Sequence, residues 1–363
     1  MKRSVAILAL FVWPLLAQRQ NFTINVGTPE GQQLQAIGQE ADEAKKTALM
    51  EDFLSKYPKH EGAPWVAGQL ELIYLQQKQY DKALDAADKA YTGGPNELDL
   101  GYNAIKAAEG KGDVQQVKKW AERTADIAQK ITSAGKAPAN DEDKADLEHA
   151  KEVGTYAEYA LYAAASKSRD TKAITDLGES LQKINPKSQY MWLMTPRYLA
   201  SLGGKGCGEA SKLSAADPKN AEAMLFEADC NWRGSRSSAV IASANKALEA
   251  LNSRPKVEGG NEAGKIATAN FFIGAGNAME QRWGPANKSL RAALPGLKGE
   301  PTYEANALFD LGLANYTLGK AIGDKGQMRE GLRYFEQAAA MKSNVQGQAA
   351  QNVTVIKKEL GLP

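Results

Sequence analysis

Two cysteines, two histidines and an aromatic content of 7% leave this chain of 363 residues little from which to assemble a chemical site. His60 and His149 lie far apart, and neither has a metal ligand or a nucleophile at helical spacing. That excludes an H-E-x-x-H zinc site and a Ser-His-Asp arrangement. Alternating β-branched runs are missing, which excludes a sheet. Beyond the first residues no apolar run is long enough to span a membrane. Charge of one sign is missing too. The formal net charge is +2, Lys and Glu are interspersed, and without a basic face nucleic acid is excluded as a partner. Asp141, Glu142 and Asp143 stand beside Lys144 without the alternating ligands and closing Glu of a calcium loop, so they read as a solvated charge run. The glycine-rich stretch Leu202–Gly208 has Gly206 after Lys205 where a phosphate loop needs Ser or Thr, so it reads as a turn between helices. No catalytic residue, cofactor site or metal site follows from this sequence.

What the chain does have is alanine-rich helical periodicity. From Trp65 to Pro95 two apolar patterns run in succession, one through Leu70, Ile73 and Tyr74, the other through Tyr80, Ala83, Leu84, Ala87 and Ala90. The polar turn Gln77-Lys78-Gln79 separates them. Alanines at 83, 87 and 90 allow a close approach between the two helices, and Pro95 stops the second. This unit resembles a tetratricopeptide repeat, with Tyr74 and Tyr80 at the aromatic positions, Ala83 and Ala90 at the small ones and Pro95 as terminator. A helix pair of this kind cannot bury its own apolar face and so implies neighbours.

The neighbours follow from the same signals. Phe53-Leu54-x-x-Tyr57-Pro58 resembles the end of such a repeat, and Asn185-Pro186 and Asp217-Pro218 mark further joints. Leu308-x-x-Leu311-Gly312-x-x-Asn315-Tyr316 is among the best matches to the family pattern. The resemblance implies an all-α, right-handed superhelix of about eight helix pairs. N-terminal repeats are expected over 30–132, a polar linker over 133–146, C-terminal repeats over 147–345 and a capping helix over 346–363. Ahead of them, Lys2 and Arg3 precede an apolar run from Val5 to Leu16. That order marks a secretory signal peptide over 1–17, followed by a flexible leader over 18–29. An uncleaved anchor is the rival, because Leu15 is large for its place before the cut. The expected location is a bacterial periplasm or envelope.

If the first helix of each pair lines the concave face, as in the family, the groove candidates are Trp65, Tyr156, Tyr159, Met191, Phe271, Phe309 and Tyr316. Tyr156, Tyr159 and Phe309 are equally readable as repeat packing, and for the other four packing is the readier reading. The resemblance then implies a non-catalytic scaffold that takes a segment of a protein partner in its groove. The alternative is a structural subunit that packs through its convex face and termini. The Lys and Asn set with which some relatives clamp a C-terminal carboxylate is absent, since Gly68, Leu72, Tyr159 and Ala163 stand there. Cys207 and Cys230 lie at nearly equal distances either side of the turn Pro218-Lys219. In an antiparallel helix hairpin that places them at one height, and an oxidising compartment favours their disulfide. Gly206 and Gly208 are expected to permit the close approach.

Overall fold

The computed structural model describes residues 24–94, 97–134 and 138–363. The signal peptide expected over 1–17, much of the expected leader and the terminator Pro95 lie outside them. Among the described residues the chain is helical and without strands. It divides into two compact units, the first ending at Ala164 and the second beginning at Ala165.

The first unit carries α1 (Pro29–Gln39), α2 (Glu43–Lys56), α3 (Ala63–Gln76), α4 (Tyr80–Ala90), α5 (Leu98–Lys111), α6 (Val114–Ser133) and most of α7 (Asp141–Lys167). The second carries α8 (Thr171–Ile184), α9 (Gln189–Ser201), α10 (Gly206–Ala216), α11 (Ala221–Arg233), α12 (Ser237–Ser253) and α13 (Glu262–Met279). It continues with α14 (Trp283–Ala293), α15 (Pro301–Ile322), α16 (Lys325–Ala340) and α17 (Gln346–Leu360).

Packing follows chain order. Successive helices pack on one another from α1 through α6 and from α8 through α17, and in addition α3 packs on α5, α9 on α11, α11 on α13 and α13 on α15. The even-numbered helices have no packing of that extent among themselves. Within each unit the odd helices therefore form the closer, inner layer. Their sequences explain this, because an inner helix must present apolar residues to two sides. In α13 Ala267, Phe271, Phe272 and Ala275 are all buried. An outer helix such as α8 needs only one apolar stripe, here Ile174, Leu177 and Leu181. Close approach within a pair rests on small residues. A Cβ added to Gly312 would lie 2.8 Å from the ring of Phe335 in α16.

One turn recurs. Lys78, Gly112, Ser235, Gln281 and Gly323 all take left-handed φ, at 57°, 74°, 54°, 56° and 72°. Each is followed by a residue whose N–H bonds back into the preceding helix: Gln79 to Tyr74, Asp113 to Ala108, Arg236 to Asn231, Arg282 to Asn277 and Asp324 to Gly319. This is the Schellman ending, repeated at five helix-pair turns. Three of the five positions hold a side chain where glycine is unstrained, at a cost of about 1 kcal/mol each. Lys78→Gly and Gln281→Gly are each expected to raise the urea midpoint, by roughly 0.5–1 kcal/mol of stability. A fall in midpoint for both would contradict this account of the turn.

One segment differs from the sequence reading. Helix α7 begins at Asp141, inside the stretch expected as a polar connection over 133–146. Asp141, Glu142 and Asp143 occupy its first turn, where carboxylates favour a helix start. The Asn140 side chain accepts the Asp143 N–H there at 2.8 Å. In the loop after α12, Arg254 is almost fully buried.

Candidate functional site

Among the described residues, aromatic rings of neighbouring inner helices meet with an edge in solvent in each unit. In the first unit Tyr102, Lys106 and Glu109 follow one another along one face of α5, and Tyr156 and Tyr159 face them from α7. The Tyr102 and Tyr156 rings lie 4.9 Å apart and Tyr156 and Tyr159 5.9 Å apart. The Lys106 ammonium stands over both Tyr102 and Tyr156, at 5.3 and 4.8 Å from the ring centres. The Tyr156 hydroxyl donates to the Glu109 carboxylate. Burial, then that carboxylate, push the Tyr156 hydroxyl far above the ordinary tyrosine range. It stays a neutral donor. Tyr159 is 40% exposed, so one edge of this cluster remains open.

In the second unit four aromatic rings meet across three inner helices. Trp232 of α11, Phe271 and Phe272 of α13 and Tyr303 of α15 form a continuous set, with centroid separations from 5.0 to 6.3 Å. The two phenylalanines are fully buried, while Trp232 and Tyr303 keep solvent contact. Tyr303 donates to Asp229 at 3.3 Å. Two turns further along α15, Asp310 keeps partial solvent contact although protein walls it on most sides. Burial alone pushes its carboxyl up to about 7.

The sign of that shift fixes a prediction. A carboxyl raised in the folded state binds its proton between about pH 4 and pH 7 while the unfolded chain has lost it, so stability falls as pH rises through that window. Replacing Asp310 by Asn removes the effect. The expected gain is about 2 kcal/mol at pH 8, after allowance for partial exposure, with no change near pH 4. Urea denaturation at both pH values checks it, and equal effects at the two would contradict it.

Beneath the inner face of the second unit lies an ionic core. The Arg254 side chain is 0% exposed and Glu222 2% exposed. Arg254 donates to both Glu222 oxygens, at 2.6 and 2.7 Å, to Glu262 at 3.0 Å and to the Lys219 carbonyl at 3.0 Å. It also stacks 4.8 Å over Trp192, whose indole donates to Asp217 at 2.5 Å. Lys265 donates to Glu222 as well. Burial by itself would raise the Glu222 carboxyl, but the Arg254 fork and Lys265 outweigh it and hold it below the usual range. Arg254 Nε is buried without a hydrogen-bond partner, while its two terminal nitrogens, both Glu222 oxygens and Lys265 engage one another.

A cleft of about 440 Å³ lies among α2, α3 and α4. Most of its charged groups are paired with one another, Glu51 accepting from the Tyr74 hydroxyl and from Lys82, and Lys89 bridging to Asp85.

The sequence-derived candidates divide by burial. Tyr156 and Tyr159 belong to the first-unit cluster. Trp65 is half-buried on α3. Tyr316 is half-buried on α15 and donates to Glu359 of α17. Met191 and Phe271 are fully buried, and Phe309 packs edge-on against Phe335 of α16 at 5.4 Å. These last three serve packing, because their helices bury two sides. Tyr102, Lys106, Trp232, Tyr303 and Asp310 were not among the candidates. For Asp310 a signal existed: it is the one charge in the apolar run from Ala305 to Leu313.

Cys207 and Cys230 are joined, with Cα atoms 5.9 Å apart, between α10 and α11. Neither flanking glycine is needed for the approach of the α10 and α11 backbones; Gly206 instead lets α10 lie against the end of α9. A Cβ there would lie 2.4 Å from the Leu199 carbonyl oxygen, while Gly208 faces open space. His60 accepts the Gly62 N–H at 3.0 Å, and His149 lies 2.7 Å from Asp99. Among the described residues no group of three or more His, Cys, Asp and Glu is placed to hold a metal ion, and no helix is long and apolar enough to cross a membrane.

No protein-family model matches the chain, and no curated protein matches it in sequence. Among solved structures, the crystal structure of yeast Tom70 aligns over 92% of this chain and 97% of that one, at 11% identity and a TM-score of 0.22. A superposition that loose carries no argument about arrangement or role. What the helices themselves establish is the class: all-α, packed in chain order.

Proposed function

We propose that this chain is a non-catalytic scaffold of the tetratricopeptide type, binding a segment of a partner protein on its inner helix layer. The observation that carries the reading is the open aromatic cluster of the first unit, Tyr102, Tyr156 and 40%-exposed Tyr159 with Lys106 over the rings. Amphipathic rings of this kind bury area against a partner at little entropic cost. Export to a bacterial periplasm or envelope is part of the proposal, supported by the charge-then-apolar order at Lys2–Leu16 and by the disulfide. A second reading, a subunit docking through its C-terminal end, draws on Ile322 and Val355, 75% and 59% exposed. Affinity capture from the envelope fraction separates the two. Tyr159→Ser is expected to lose the captured partner with helicity unchanged, whereas Ile322→Ser keeps it. The opposite pattern favours the second reading.

A further inference from the structure

Helix α15 spends most of its circumference on neighbours. Asn315 is turned to α14, where its Oδ1 accepts from Asn287 and Arg291 at 3.0 and 3.1 Å. Phe309 and Gly312 meet Phe335 of α16. Tyr303 joins the Trp232–Phe271–Phe272 set. At about 100° per residue, Asp310 falls close to the Tyr303 direction, and Leu313 and Thr317 stand beside it. These four keep solvent contact. Asp310 thus stands on the inner face of the second unit, two turns from the exposed edge of the aromatic set.

Several acids of this unit have cations. Asp229 is paired with Arg233, Glu222 and Glu262 share Arg254, Glu330 is paired with Arg291, and Glu359 with Lys320. For Asp310, among the described residues, burial is the one influence on its carboxyl, with no cation and no hydrogen bond beside it. A carboxylate walled by protein and left without a partner is unfavourable as an anion, and a cation delivered from outside relieves that cost. Resting on the scaffold reading above, we infer that the inner face of the second unit docks a basic segment, with a lysine or arginine of the partner protein seated on Asp310. The apolar flank of that segment covers Trp232 and Tyr303. Two helical turns separate Tyr303 from Asp310, about 10 Å along the axis. That matches about three residues of extended chain and exceeds the reach of a small amine, which selects a peptide as the occupant.

The test immobilises the purified full chain and selects from a random-peptide phage library, with Asp310→Asn and Asp310→Glu in parallel. Wild type and Asp310→Glu are expected to enrich lysine and arginine over the input library, while Asp310→Asn does not. The best basic peptide is expected to bind wild type at least about tenfold more tightly than Asp310→Asn, as befits a close charge pair. Asp310→Asn removes a poorly solvated charge and keeps the shape, so it folds, and far-UV circular dichroism verifies it. Equal basic enrichment by wild type and Asp310→Asn, or purely apolar pools from both, overturns the assignment and leaves the scaffold reading standing. Recovery of no sequence from any form overturns both.

Discussion

Glu222→Ala is expected to destabilise the second unit by about 3–5 kcal/mol, the usual result of stripping one partner from a buried ion pair. Arg254 cannot reach water, its side chain being 0% exposed, and its guanidinium stays charged at any ordinary pH. With Glu222 gone, its remaining carboxylate is Glu262, which Lys265 also approaches, at 3.6 Å. Two cations then share one acid. The cost lies in the abandoned charge, so replacing both members by apolar residues, Glu222→Leu with Arg254→Met, is expected to recover most of it. Urea denaturation of the two single variants and the double closes the cycle. A loss below about 1 kcal/mol for Glu222→Ala would contradict the network's role. Because the Glu222 carboxyl is held below its usual range, its share of stability is present above about pH 4.3 and drains away as pH falls below that.

Removing the Cys207–Cys230 link is expected to cost about 3 kcal/mol, since it closes a span of 23 residues. The loss concentrates on α10. That helix buries only Gly206, Ala210 and Leu213, so little apolar area holds it once the covalent tie is gone. Calorimetry with and without a dithiol reductant should show the drop, and hydrogen exchange should place the loosened amides within Gly206–Ala216. Thiol labelling of the unfolded, unreduced protein is expected to find no free cysteine. Two reactive thiols per chain would remove both this effect and the support the disulfide lends to export.

Helix pairs were readable from the sequence because small and apolar residues recur at helical spacing, and the cysteine pair was readable because height in a hairpin follows from distance to its turn. The choice between groove and core was not readable. In α13 and α15 the apolar residues surround most of the helix, so periodicity does not say which flank meets a neighbour and which meets solvent. Phe271 and Phe309 therefore passed as groove candidates and proved to be buried, while Tyr303 on the same layer was missed. Arg254 shows the complementary limit. Within Asn252–Glu262 it sits among Pro, Gly and charged residues that read as a loop, and its burial depends on Glu222 and Trp192, more than thirty residues away in the chain.

Packing between helices near one another in the chain also bears on how the chain reaches this state. Contacts that join adjacent helices close short loops, which costs little entropy and favours rapid, local nucleation. Each pair can then add to the last, with no need for the whole length to be present at once. The ionic core is the exception: Trp192, Glu222 and Lys265 come from three helices, and Asp217 and Arg254 from the loops between them. It can be completed only once α13 has docked, so the second unit acquires its most specific contacts late, after the simple apolar seams are already closed.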